Sequence, residues 1–248
     1  MITLGMSSSS TSFNGLIGAP LTYASPAILE RRRRILEETR KLIEEGGITN
    51  FSMNILCKRA GVAKRTLYNA FQTREHVIAA AIQEYFLEYL GRVTYSAPRG
   101  TLQRSVERII TVGRRNRKIP RYIHAIMEIY FSAEVIPDVW TAMNSVAVDA
   151  NLEYINALRQ RRQLQLWINP ETLAYDVVRY EYTTIYDWSR GLIADDLFVP
   201  QLVQGYLTLL LGATRGGARD EIEALLRKQH KNGGSMDDFL PGLAKAVD

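Results

Sequence analysis

The run from Ser52 to Phe71 gathers most of the side chains that could recognise a partner by charge and hydrogen bonding. Ile55, Leu56, Val62, Leu67 and Phe71 are apolar where two short crossed helices must pack. Lys64, Arg65, Thr66, Tyr68 and Asn69 are polar where the second of those helices faces out. Gly61 is placed to stop the first helix in the left-handed conformation. This is helix-turn-helix construction, and such a second helix suits a DNA major groove.

Charge points to the same place. Net charge is +5 over 248 residues. Residues 26–75 carry eleven Lys/Arg against six Asp/Glu, and residues 76–248 carry twenty of each sign, so the whole excess lies in one short segment. A basic segment on a neutral body is what polyanion binding requires. A solvated basic face gives the same excess.

The surrounding pattern is helical throughout. Residues 1–25 hold no charge and are rich in Ser, Thr and Gly, which predicts a disordered lead rather than a secretory signal, with Met6 as an alternative start. Ile28, Ile35, Leu36, Leu42 and Ile43 share one face of a helix that Pro26 opens and Gly46-Gly47 ends. Ser52 caps a helix over Met53 to Ala60, with Ile55 and Leu56 inward. A third helix follows from about Ala63 to Ala70, and Thr73 caps a longer fourth one reaching about Tyr95.

Further helices are expected over Thr101 to Lys118, Pro120 to about Ala133, Pro137 to about Leu164, and Glu171 to Ile193. Two more are expected, one from an Asp195-Asp196 cap to near Gly216 and one over Ala218 to Lys231. No segment alternates with a period of two, so no sheet is predicted. The fold class is all-α: a three-helix head over 26–75, a helical body over 76–232 and a frayed tail over 233–248.

At Ala60-Gly-Val-Ala-Lys-Arg-Thr-Leu-Tyr68, with Phe71 and then Thr73-Arg-Glu75, the sequence resembles the signature of the TetR family. That pattern reads roughly AGVSxxTLYxxFxSKE, and Ser52-Met53 matches the pair that opens its preceding helix. The likeness is dense over about Ile35 to Ile82. Ala63 stands where the family has Ser, Arg74 where it has Lys, and Cys57 where it has a small Ala. The first change removes a side-chain cap worth about 0.5–2 kcal/mol. Cys57 reads as an inert small hydrophobe, with redox sensing as the alternative.

The resemblance implies a bacterial, cytoplasmic homodimer that binds a palindromic double-stranded operator. It further implies a repressor released by a small-molecule effector. Ser52 and Met53 would lie near a phosphate at a helix start, and Lys64 and Arg65 at base edges, guanine above all. Thr66 would meet a thymine methyl or a phosphate. Tyr68, Asn69 and Arg74 would hold the backbone, and Arg31 and Arg34 from the run Arg31 to Arg34 would add nonspecific attraction.

In the body, Tyr122, Met127, Phe131, Trp140, Met143 and Tyr182 suit a pocket for a flat or lipophilic effector; ordinary bundle core is the plain reading. Trp167 belongs to the same aromatic stretch. Trp188-Ser-Arg-Gly-Leu192 resembles the family's turn before its leucine-rich helix. Leu202, Tyr206, Leu209 and Leu210 coat most of that helix, so with Trp188 they are expected at a dimer interface; burial inside one chain is the alternative. Glu181 interrupts the apolar face of Ala174, Val178, Ile185, Trp188 and Leu192, and a buried carboxylate there needs a partner, an interfacial arginine or a cationic ligand.

Other function classes find little support. There is no Gly-rich phosphate loop, nucleophile elbow or HExxH, so no enzyme is expected. The three histidines and one cysteine show no metal-ligand spacing, so neither metal nor cofactor is expected. No apolar run is long enough to span a bilayer, so no membrane partner is expected. A DNA-coating protein would bind all sequences alike, and a ligand-sequestering protein would not need the intact Lys64 to Tyr68 run.

Overall fold

Glycine and proline set many helix boundaries in the structure, a computed structural model that describes residues 25–132 and 137–231. The described residues form α1 (Pro26–Gly46), α2 (Met53–Ala60), α3 (Lys64–Phe71), α4 (Arg74–Arg92) and α5 (Leu102–Lys118). They continue with α6 (Pro120–Tyr130), α7 (Pro137–Gln160), α8 (Pro170–Ser189), α9 (Asp195–Ala213) and α10 (Gly217–Lys231). The lead expected over 1–25, Ser25 apart, and the tail expected over 233–248 lie outside the described residues. Among the described residues no strand forms; Leu164 and Thr214 make an isolated bridge. No described helix is long and apolar enough to cross a membrane.

The head follows its local signals. Gly47 takes φ 66° after α1. Gly61 takes φ 62°, ψ 42°, which lets its own N–H reach the Lys58 carbonyl and the Val62 N–H reach that of Cys57. These two bonds are the Schellman closure of a helix end.

Two body helices end earlier than periodicity predicts, for the same reason. α8 stops at Ser189 and not at Ile193. Gly191 takes φ 76°, and the N–H groups of Gly191 and Leu192 reach back to Trp188 and Asp187. α7 stops at Gln160 and not near Leu164. Arg162 takes φ 57°, and Gln163 N–H bonds the Leu158 carbonyl at 2.8 Å. An arginine in the left-handed region leaves no sequence signal. α4 stops at Arg92, short of Tyr95, and α6 at Tyr130, while Ala133 lies outside the described residues. Asp195 is the first residue of α9 rather than its cap, which is Ala194. Its carboxylate instead accepts from Arg117 Nε at 2.7 Å and from the Trp188 indole at 3.1 Å.

Packing runs through α4. It contacts α1, α3 and α7; α1 also rests on α2 and α6, and α7, α8, α9 and α10 follow one another. Val77 to Ile82 are six consecutive buried residues, so this half of α4 is covered on all sides. On α1, Ile35, Leu36, Leu42 and Ile43 are buried, but Ile28 is 45% exposed. Periodicity marks a face; it does not say how far along that face a partner reaches. Ile55 is 45% exposed rather than inward. α2 packs by Met53, Leu56 and Ala60, and a residue next to Leu56 points about 100° away.

Ala63 sits at the N-cap of α3 with no side-chain capping bond. The Ala63→Ser variant is therefore expected to stabilise the chain by about 0.5–2 kcal/mol. Urea unfolding midpoints of the two proteins, at one protein concentration, check this.

Candidate nucleic-acid interface and effector cavity

α3 has two unlike sides. Leu67 and Phe71, four residues apart, are buried against the head, and the Arg32 guanidinium covers the Phe71 ring at 4.8 Å. Lys64, Arg65, Tyr68 and Asn69 are exposed and Thr66 is half-buried. Lys64 Nζ lies 5.8 Å from the Tyr68 ring centre. One face of a short helix thus presents two cations, a phenol and an amide. Beside them, Ser52 occupies the N-cap position of α2 and its hydroxyl makes no capping bond.

Other residues expected at this face have internal work. The Met53 side chain is buried, so only its backbone N–H remains at the start of α2. The Arg74 guanidinium donates to the Ile48 carbonyl and lies 5.9 Å from the Phe51 ring. Arg34 Nε donates to the Ala60 carbonyl at 2.8 Å, which satisfies the end of α2. Of the remaining arginines, Arg33 pairs with Glu30, while Arg31 is exposed. Arg59 pairs with Glu38 and Glu45 of α1; its hydrogen bonds to Glu45 and then Glu38 hold its charge beyond the ordinary arginine range. Arg34 and Arg59 together lock α2 onto α1, which fixes the angle at which α3 is offered. Cys57 is half-buried against the core.

Inside the body is a cavity of about 50 Å³ between α4, α5, α6, α7 and α8. Met127, Met143 and Tyr182 line it. Tyr122 and Phe131 do not: Tyr122 is buried edge-on against Tyr85, and Phe131 stacks on Tyr186 at 4.9 Å. Trp140 lines a separate groove of about 430 Å³ between α4 and α7. Trp167, grouped with these aromatics by composition, is 76% exposed on the α7–α8 loop. Neighbours in sequence reach different places because helix phase, not composition, decides which way a ring points.

The cavity's polar wall was only half legible. Glu181 is buried as expected, and its partner is Arg108 of α5. Arg108 Nη2 donates to Glu181 Oε1 at 2.9 Å and to Asn151 Oδ1 at 2.8 Å, and Asn151 Nδ2 donates to Glu181 at 3.3 Å. The two charged side chains are 8% and 7% exposed. Burial works against the guanidinium's charge, yet Glu181 outweighs it and holds the group above its ordinary range. Nothing singles out Arg108 in the sequence, because Arg104, Arg114, Arg115 and Arg117 share its helix.

The residues expected between two copies are mostly inside one. Trp188 stacks on Phe198 at 4.4 Å, and Leu202, Tyr206 and Leu210 are buried within the chain. α9 is sandwiched by α5, α8 and α10, which use up its apolar sides. Leu209 alone of the five stays partly open, at 36%.

Removing one partner of the buried pair leaves the other charged and alone. Arg108→Met is expected to cost about 3–5 kcal/mol, and the double change Arg108→Met with Glu181→Leu far less. Urea unfolding of wild type, both single variants and the double variant gives the cycle.

Known proteins place this geometry. Residues 35–81 match the sequence pattern of the family described as "Bacterial regulatory proteins, tetR family". The chain is 29% identical over 134 residues to the HTH-type transcriptional repressor KstR of Rhodococcus jostii (strain RHA1), which covers 54% of this chain and 63% of that protein. It is 33% identical over 98 residues to the KstR repressor of Mycobacterium tuberculosis, covering 39% of this chain and 44% of that one. The matches thus span less than two thirds of either relative's length. A crystal structure of a TetR transcriptional regulator from Rhodococcus sp. RHA1 superposes with a TM-score of 0.56 at 18% identity, over 74% of this chain and 97% of that one. The match of the head and the all-helical architecture agree: residues 35–81 carry the pattern of the tetR family of bacterial regulatory proteins, and the fold is similar to that of a TetR transcriptional regulator.

Proposed function

We propose that this protein is a ligand-responsive repressor that binds a palindromic operator as a homodimer in the cytoplasm and is released by a small-molecule effector. Residues 26–75 form the DNA-binding head in this reading, and residues 76–232 the effector-binding and dimerising body. The observation that carries it is the exposed row Lys64, Arg65, Tyr68 and Asn69 on a helix whose other side, Leu67 and Phe71, is buried. Lys64 and Arg65 reach base edges, Tyr68, Asn69 and Arg31 hold phosphates, and Thr66 and Ser52 flank them. Repression is favoured because the two KstR relatives are named as repressors.

Release follows from α4. Its first half packs on α1 and α3, and its second half brings Phe86 and Leu90 to the cavity wall. A ligand that fills this cavity bears on that wall. A ligand that prefers the moved state shifts the heads away from the spacing that DNA selects.

The test is fluorescence anisotropy with a duplex from upstream of the protein's own gene against a scrambled duplex, at about 150 mM salt. A preference of about 10³-fold or more is expected, lost on Arg65→Ala and weakened on Tyr68→Phe. Equal tight binding of both duplexes overturns the reading in favour of nonspecific coating.

The dimer face proposed is the outer side of α8 and α9, where Thr183, Gln201, Gln204, Thr208 and Leu209 are exposed. Light scattering at micromolar concentration is expected to give the mass of two chains, and Thr208→Arg the mass of one. A wild-type monomer would sink the dimer.

A further inference from the structure

We infer that the cavity selects an elongated, neutral, mostly apolar molecule carrying one hydrogen-bond-accepting oxygen near its end, and that Arg108 receives that oxygen. The inference rests on the effector reading above and names the ligand class.

Three observations support it. First, Arg108 is buried on the cavity wall, and its Nε has no hydrogen-bond partner among the described residues. A spare N–H on a wall that also carries Glu181 and Asn116 favours an acceptor that reaches it. Tyr182, also on the wall, is no rival, since its hydroxyl already donates to the Met143 carbonyl at 2.7 Å. Second, Glu181 already balances the Arg108 charge. A carboxylate ligand would leave the enclosure with an unpaired negative charge, and an ammonium ligand with an unpaired positive one; both are disfavoured against a carbonyl. Third, the cavity shares Leu90 and Val146 with the 430 Å³ groove lined by Gln83, Asn144 and Asp149. A chain lodged by its carbonyl at Arg108 passes between those two side chains into the groove. The inner chamber alone is too small for an effector, whereas ligand sites commonly span about 300–1,000 Å³.

The experiment uses the full-length wild-type protein and three ten-carbon probes: decan-2-one, decanoate and decylammonium. Isothermal titration measures binding. Anisotropy of the operator duplex, in matched samples, measures release. The ketone is expected to bind at least about tenfold more tightly than either ion. Decanoate or decylammonium binding as well as the ketone overturns the inference, and so does binding by none of the three.

Glu181→Gln is expected to move the decanoate-to-ketone ratio at least about tenfold toward decanoate, because Arg108 is then unbalanced. An unchanged ratio overturns the role given to the pair. Should that variant fail to fold, Val146→Trp tests the passage, and it is expected to weaken the ketone at least about tenfold; unchanged ketone affinity overturns the route. A ketone that binds as described yet leaves DNA affinity unchanged supports this ligand class and sinks the effector reading. Decanoate releasing DNA where the ketone does not sinks the class and keeps that reading.

Discussion

One constraint governs the rest: α4 must be buried on every side in its first half and still form a wall of the cavity in its second. Val77 to Ile82 meet this with three alanines in succession, which let α1, α3 and α7 approach closely. Further along, Tyr85 accepts from Arg115 Nε at 2.7 Å and lies 5.7 Å below the Arg40 guanidinium. Tyr89 donates to the Thr111 carbonyl at 2.8 Å. Arg40 of α1 also stands 3.6 Å from Glu84. α4 is therefore tied to the head by packing and the Arg40 contacts, and to α5 by polar contacts. A close-packed helix held at both ends moves as a unit, because interiors of this density do not deform continuously.

The second constraint is the charge at the centre of the body. A buried arginine and glutamate contribute little net stability against an apolar pair of similar volume. What they add here is direction. Asn151 bonds both of them, so the guanidinium is held at Nη2 by two acceptors while its Nε–H is left over. A group fixed in that way reads the polarity of whatever fills the space beside it.

How much of this was legible depends on the range of the interaction responsible. The head was readable because its determinants are local. Gly61 supplies the left-handed stop, Leu67 and Phe71 the buried side of α3, and the polar residues between them can only face outward. The ends of α7 and α8 were misplaced by a few residues because a Schellman closure overrides periodicity, and at Arg162 no glycine announces it. Met53, Arg34 and Arg74 also make contacts within the head, with an apolar core and the Ala60 and Ile48 carbonyls, which no spacing rule reveals. Arg108 was missed for the same reason: its meaning comes from Glu181, seventy-three residues away.

The leucine-rich helix shows the limit most clearly. Leu202, Tyr206 and Leu210 point inward because α9 has helices on several sides, so its apolar circumference is consumed within one chain. Gly205 then allows the closest approach of α8. Tyr180 donates its hydroxyl to the Gln201 carbonyl at 2.7 Å, and a Cβ on Gly205 would stand 1.9 Å from that ring. What remains outward on α9 is Gln201, Gln204, Thr208, Leu209 and Gly212, a row of mostly small or polar residues. Self-association through such a row draws on close backbone approach and polar contacts more than on leucine burial. Its strength therefore depends on shape, and a single bulky charge placed in the row opposes it more than the loss of one leucine would.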